Sequence, residues 1–288
     1  MAITYNDLYL DTRRRFKAAG VFDPTRAARE LICSASGKTN AEFVRDSRLY
    51  IPPEIEREVN DLAERHLAGE PVAYLIGEWE FYGLPLDISR AVLIPRPDTE
   101  VLAARAIEAA QDCAEPRVLD LCAGSGCIGL AVAKHVPTAH VTLGELDEEA
   151  VKICRQNIRR NDLSARVSVL RMDAREKPSR QLGEYDVIVS NPPYIPTADI
   201  ETLDTSVRDH EPRLALDGGA DGLDFYRAIC DKWRDALRAH GRLLFEVGIG
   251  QSDAVLRLMR ASGFGNVEII KDLNEIPRVV CGTLWEQI

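Results

Sequence analysis

The stretch Asn191-Pro192-Pro193-Tyr194 carries the most chemical information in this sequence. Two successive prolines remove two backbone donors and fix two φ angles. A residue before proline is driven into extended geometry, so Asn191 is held at the tip of the strand-like run Tyr185–Ser190. The carbonyls of such a corner have no proline N–H to bond and can point into a crevice. A rigid, acceptor-rich corner suits a planar –NH₂ group. The Asn191 side-chain oxygen and the Pro192 carbonyl can each accept one N–H, while Tyr194 packs on the flat face.

A second constellation lies upstream. Val118-Leu119-Asp120-Leu121 leads into Gly124-Ser125-Gly126-Cys127-Ile128-Gly129, a G-x-G-x-x-G pattern between a predicted strand and a predicted helix. Glycines there allow a sharp turn and a close ligand approach. The helix start adds N–H donors and the positive end of its dipole. The pattern suits NAD, FAD or S-adenosylmethionine. Glu145, 19 residues beyond Gly126 and at the end of the run His140–Gly144, is placed to accept from ribose hydroxyls. Asp147 competes for that role, and Glu145 is preferred as nearer the strand end. Asp173 closes the next strand and is placed to accept from an adenine amino group. Glu148 and Glu149 read as first-turn helix carboxylates.

These residues need a scaffold, and the hydrophobic spacing supplies one. Strands are predicted near 117–121, 140–146, 166–171, 185–190 and 241–247, with helices near 126–135, 148–161, 222–239 and 252–262. The alternation implies an α/β fold with a mostly parallel sheet covered on both faces. Two further strand-like runs, 266–271 and 278–285, have no helix between them and must pair as an antiparallel hairpin. Ahead of the sheet, Asp98 to Ala110 reads as a capped helix with Glu100 in its first turn. Trp79, Phe81, Leu84, Leu86 and Ile88, interrupted by Gly83, predict a hairpin. Residues 1 to about 75 show helical spacing instead: Leu8, Phe16 and Ala19, then Ala27, Ala28, Leu31 and Ile32, then Ile55, Val59, Leu62 and Leu67. The expected organisation is a helical bundle over 1–75, a hairpin linker over 76–95 and an α/β domain over 96–288.

Composition narrows the possible partners. The 288 residues include 36 Lys and Arg against 46 Asp and Glu, a net charge of −10. Through residue 85 there are 11 basic and 14 acidic side chains, and beyond it 25 and 32. Neither part has the basic excess that a long nucleic-acid footprint requires, so no direct nucleic-acid binding is expected. The run Arg13-Arg14-Arg15-Phe16-Lys17 reads as a solvated helix face. No apolar run approaches the roughly 20 residues of a membrane helix, and no membrane partner is expected. The opening residues show no basic-then-apolar leader pattern. Seven cysteines form no C-x-x-C pair, and the five histidines share no strong motif, so no metal site is expected. A reducing, cytoplasmic setting follows from the cysteine usage.

The tetrapeptide, placed after the fourth strand of such a domain, resembles the signature of class I methyltransferases that alkylate an exocyclic or side-chain amide nitrogen. Further segments narrow the likeness. Gly69-Glu70-Pro71-Val72-Ala73-Tyr74-Leu75-Ile76-Gly77 precedes Leu93-Ile94-Pro95-Arg96-Pro97-Asp98-Thr99-Glu100. Glu211-Pro212-Arg213-Leu214-Ala215-Leu216 and Gly218-Gly219-Ala220-Asp221-Gly222-Leu223 follow. In order and spacing, over about residues 5 to 285, these are similar to the bacterial peptide-chain-release-factor glutamine-N5 methyltransferase family (PrmC, also called HemK). Cys122 and Ala123 stand where many relatives have Gly or Thr, and Glu145 where many have Asp. Both changes conserve small size or charge.

The resemblance implies a Rossmann-like class I methyltransferase with a helical N-terminal domain that recognises class 1 peptide chain release factors. The implied reaction moves a methyl group from S-adenosyl-L-methionine to the glutamine side chain of a Gly-Gly-Gln motif, leaving S-adenosyl-L-homocysteine and modulating translation termination. The expected cofactor-binding set is Asp120, Ala123, Gly124, Ser125, Gly126, Cys127, Glu145, Asp173, Ala174 and Asn191. Asn191, Pro192 and Tyr194 are the expected catalytic residues, and with Pro193 they form the substrate corner. The alternative activity is adenine-N6 or guanine-N2 methylation of DNA or RNA. A non-catalytic cofactor-binding scaffold would have no need of the acceptors, and a dehydrogenase no need of the tetrapeptide.

Overall fold

The structure is a computed structural model that describes residues 3–285. Residues 1, 2 and 286–288, which bound the expected first and last domains, lie outside the described residues. The chain divides into two compact units, one of residues 1–78 with 205–210 and one of residues 79–204 with 211–288.

Five helices from the N-terminal segment build most of the first unit: α1 (Tyr5–Ala18), α2 (Pro24–Ser36), α3 (Asn40–Asp46), α4 (Pro53–Leu67) and α5 (Val72–Ile76). Their starts follow from local chemistry. Thr4 with Asp7, and Thr39 with Glu42, form reciprocal capping boxes. The Asp23 side chain caps α2 ahead of a proline in its first turn. Leu8, Phe16, Ala28, Leu31, Ile32 and Val59 are buried as their spacing predicts. Ala19 is exposed, because α1 has ended and Ala19 serves only as its C-cap. In the basic run, Arg14 pairs with Asp11 and Arg15 reaches Asn60 and Glu64, while Phe16 faces the core.

A hairpin of β1 (Glu78–Phe81) and β2 (Leu84–Asp87) follows, all but its first residue in the second unit. Tyr82 and Gly83 both have positive φ, 52° and 74°, as a tight two-residue turn matched to strand twist requires. Helix α6 (Thr99–Gln111) follows. Asp98 gives it no side-chain cap; its carboxylate pairs instead with Arg278 at 2.6 Å.

The alternating segment then runs β3 (Arg117–Leu121), α7 (Cys127–His135), β4 (His140–Glu145), α8 (Glu148–Arg160), β5 (Val167–Arg171) and β6 (Tyr185–Ser190). Helix α9 (Thr205–Arg208) clusters with the first unit. The second unit finishes with α10 (Asp224–Lys232), β7 (Leu237–Glu246), α11 (Ser252–Ala261), β8 (Phe264–Lys271) and β9 (Pro277–Leu284). Seven strands form one sheet in the order β5-β4-β3-β6-β7-β9-β8. The first five are parallel, and β9 runs antiparallel between β7 and β8. This is the α/β fold expected, with its antiparallel C-terminal hairpin.

One boundary departs from expectation. The helix predicted over 222–239 stops at Lys232, and β7 starts four residues before the predicted strand. Trp233 is buried and its indole donates to the Ala174 carbonyl at 2.8 Å, which pins the chain there. A single 3₁₀ turn, Arg234–Ala236, redirects it so that Leu237 pairs with Tyr185. Apolar Ala236 and Leu237 fit a helical continuation equally well, so periodicity alone does not mark the break.

Connections β3-β4-β5 progress toward one edge of the sheet, and β6-β7 toward the other. The order therefore reverses between β3 and β6, where Leu121 lies beside Ser190. Ligands of open α/β sheets bind beyond the strand C-termini at such a reversal.

Candidate active site

Both sequence constellations emerge at this reversal, the glycine loop from β3 and the Asn-Pro-Pro-Tyr corner from β6. Beside them lies a cavity of about 330 Å³. Ala123, Gly124, Ser125, Cys127, Glu145, Asp173, Ala174, Asn191 and Pro193 line it, together with Arg90 to Leu93, Pro95, Arg96 and Thr99. Asp120, Gly126, Pro192 and Tyr194 do not line it.

The glycine loop is held mainly by backbone groups. Cys122 takes a positive φ of 60°, the Gly126 N–H bonds the Ala123 carbonyl at 2.7 Å, and Ala123 donates to Gly144 at 3.1 Å. Glu145 accepts from the Gly124 N–H at 2.8 Å and from the N–H groups of Leu146 and Asp147 at 2.7 and 2.9 Å. This ties the end of β4 to the loop. Asp147 lines the same cavity, and its Oδ1 caps α8 by accepting from Glu149 and Ala150. Glycine is required at 126 and 129, since a Cβ there would sit 2.8 and 2.3 Å from Leu143. At Gly124 a Cβ would meet nothing within 4 Å, which leaves that face of the loop open.

Asp120 works beneath the loop. It is fully buried, accepts from the Gly129 N–H at 2.9 Å, and has no hydrogen-bond partner for Oδ1 among the described residues. Burial pushes its pKa up to about 7 against the opposing Gly129 hydrogen bond. Burial also raises the Cys122 and Cys127 thiols, which makes them poor nucleophiles. At Asp173 burial raises the pKa, but hydrogen bonds from the Arg175 side chain and N–H outweigh it, and the carboxyl lies below its ordinary value.

The Asn191 corner is held by side chains and close packing from distant segments. The Asn191 amide nitrogen donates to the Thr99 hydroxyl at 3.5 Å. Ser190 donates to the Leu121 carbonyl at 2.7 Å, joining the two strand tips. Gln251 donates to the Tyr194 carbonyl at 2.8 Å and accepts from the Gly248 N–H. A Cβ at Gly218 would approach the Pro193 carbonyl to 2.8 Å, and at Gly222 the Tyr194 carbonyl to 2.3 Å. At Gly248 it would meet the Tyr194 ring at 3.0 Å. The Tyr194 ring thus packs toward Gly248 and the core. Burial, then the nearby Glu246 carboxyl, raises its pKa to about 12.

Two further supports frame the cavity. Arg96 pairs with the buried Glu211, which also accepts from the Ile94 N–H at 3.4 Å, so the 93–96 and 211–216 walls are joined. Burial raises the Glu211 pKa although the Arg96 guanidinium opposes it. Asn157, fully buried on α8, donates to the Ser125 and Asp87 carbonyls and accepts from the Asp87 N–H, tying β2 to the glycine loop.

Sequence reasoning missed Thr99 as a site residue, and with it Asn157, Glu246 and Gln251. Glu246 left a signal, a lone charge closing the apolar run Leu243-Leu244-Phe245. The others have no local signature. Among the described residues, no three His, Cys, Asp or Glu side chains gather to hold a metal ion, and no helix is long and apolar enough to cross a membrane.

The site fits a nucleoside-bearing sulfonium cofactor: the loop offers an open glycine face, and two carboxylates stand at successive strand ends on one cavity. The family model described as "PrmC N-terminal domain" matches residues 7–77, and "Methyltransferase small domain" matches residues 98–219. The "Release factor glutamine methyltransferase" of Caulobacter vibrioides is 38% identical over 284 residues, covering 98% of this chain and 97% of the relative. That of Geobacter sulfurreducens is 44% identical over 223 residues, covering 77% and 76%. A methyltransferase structure from Pyrococcus furiosus superposes with a TM-score of 0.54 at 18% identity, over 79% of this chain and 100% of that one, a likeness of fold alone.

Proposed function

The chain belongs to the release factor glutamine methyltransferase family, and from that premise we propose how its residues carry out the reaction. The enzyme uses S-adenosylmethionine to methylate the side-chain amide nitrogen of the glutamine in the Gly-Gly-Gln motif of class 1 peptide chain release factors. The observation that carries this reading is the placement of Asn191 and the glycine loop on one cavity at the sheet reversal.

Glu145 and Asp173 hold the nucleoside, with Glu145 on the ribose, and Gly124, Ser125 and Cys127 border the remainder of the cofactor. When bound, the cofactor supplies a methyl group activated by a sulfonium. An amide nitrogen is a poor nucleophile because its lone pair is delocalised into the carbonyl. Asn191 Oδ1 and the Pro192 carbonyl accept its two N–H groups, orient the carboxamide and favour pyramidalisation. Preorganised acceptors also stabilise positive charge growing on that nitrogen, a mirror image of an oxyanion hole. Alignment does much of the rest, since well-oriented reactions gain up to roughly 7–11 kcal/mol. Tyr194 stiffens the corner from behind, and the released proton passes to water.

We assign release-factor recognition to the helical first unit, the region matched by the PrmC N-terminal model. The seven free cysteines support a cytoplasmic location. The deciding experiment incubates the enzyme with methyl-labelled cofactor and a purified release factor, then maps the label by mass spectrometry. One methyl on the Gly-Gly-Gln glutamine is expected. Label on nucleic acid alone, or no transfer despite cofactor binding, overturns the reading.

A further inference from the structure

Glu246 closes β7, is only 4% exposed and takes no part in the chemistry above. Because Ser190 pairs with Phe245, it stands beside Asn191 at the strand tips. It does not line the cavity. Its Oε2 has no hydrogen-bond partner among the described residues. Burial pushes its pKa up to about 7, while the Thr99 hydroxyl, Arg278 and the Asn191 side chain favour the charged form. Asp98, Tyr194 and Tyr226 also face it.

An amide side chain has two ends, and only one serves this site. Asn191 must present Oδ1 to the substrate; flipped, it would set a donor against a donor. Thr99, the Asn191 Nδ2 partner at 3.5 Å, cannot choose between them alone, because a hydroxyl both donates and accepts. An ionised carboxylate only accepts. A Glu246 carboxylate that accepts the Thr99 O–H would leave the Thr99 lone pair for Asn191 Nδ2 and turn Oδ1 toward the cavity. We propose that Glu246 is a positioning residue which, through Thr99, fixes the end of the Asn191 side chain that meets the substrate amide. The proposal rests on the reading of Asn191 given above.

The test compares Glu246→Gln, nearly isosteric but able to donate as well as accept, with the parent enzyme. Single-turnover methyl transfer should fall about 10–100-fold, as small misplacements do. Cofactor Kd and release-factor KM should stay within about 3-fold, with a thermal midpoint no lower than the parent. In an Asn191→Ala background the same change should cost less than about 2-fold, because nothing remains to orient. Glu246→Asp, which retains an acceptor, should recover part of the rate. A Glu246→Gln rate within about 2-fold of the parent, or an equal loss in both backgrounds, overturns the proposal. If Glu246→Gln does not fold, Thr99→Val replaces it with the same expected rate loss, and full activity in that variant overturns the proposal. Near-parent turnover in Asn191→Ala removes the reading of the site and this proposal together. Loss there with an intact Glu246→Gln removes this proposal alone.

Discussion

The two walls of the cavity are built on different principles. The glycine-loop wall is mostly local: over 26 residues, from Asp120 to Glu145, one strand, one turn, one helix and the next strand supply the loop and its backbone N–H donors, with Asn157 and Asp173 added from just beyond. The Asn191 wall is assembled from afar. Its supports are Thr99 and Gln251, with glycines 218, 222 and 248 giving room for the backbone. Cofactor recognition here therefore rests mainly on one short segment, whereas substrate orientation depends on three distant stretches of chain, around residues 99, 218–222 and 246–251. Damage to the first wall should appear in cofactor affinity, and damage to the second in rate.

The largest effect should come from Asn191→Ala. It should lower methyl transfer about 10²–10³-fold, as loss of a preorganised charge-stabilising group does, while calorimetric cofactor Kd moves far less. Equal losses in affinity and rate would break the contrast between the walls. Glu145→Gln tests the opposite side. Removing a charged acceptor should weaken cofactor binding by about 1.5–3 kcal/mol, with turnover at saturating cofactor nearly unchanged. Gly222→Ala places a Cβ 2.3 Å from the Tyr194 carbonyl at a φ of +73°. It should cost about 1–3 kcal/mol in urea unfolding together with a reduced rate, because the corner itself must shift.

A pH dependence is shared by both walls. Asp120 and Glu246 have pKa values raised by burial from 3.8 and 4.5 to about 7. Below about pH 4 both are protonated folded or unfolded, and their favourable share of stability is complete. As pH rises toward 7 the unfolded chain releases these protons first, so stability falls. The slope is at most about 1.4 kcal/mol per pH unit for each group. Chemical denaturation of the cofactor-free enzyme at pH 5, 6 and 7 should show this decline, and Glu246→Gln should flatten it. A stability that climbs over the same range would contradict the assignment for both carboxyls.

The same contrast explains how much the sequence revealed. Gly124, Gly126 and Glu145 announce themselves because their chemistry is written in one contiguous spacing. Asn191 does so because two prolines follow it. The parallel sheet and its antiparallel ending were legible from periodicity. Thr99 and Gln251 were not, since one opens α6 and the other immediately precedes α11, ordinary positions that acquire a role only when β6 and β7 lie side by side. The early end of α10 was hidden for a related reason: the Trp233 contact that stops the helix lies 59 residues away at Ala174.

The insertion of β9 between β7 and β8 bears on how this enzyme comes off the ribosome. Every residue of the cavity has been synthesised by Phe225, yet β7 keeps a bare hydrogen-bonding edge until residues 277–284 arrive to cover it. A chain that ends between β7 and β9 presents Glu246 and the flank of the Asn191 corner on an open strand, the geometry that recruits foreign strands. Completion of the sheet therefore falls to β9, and a chain stopped between residues 251 and 277 would carry the cavity and its supports with the β7 edge unguarded.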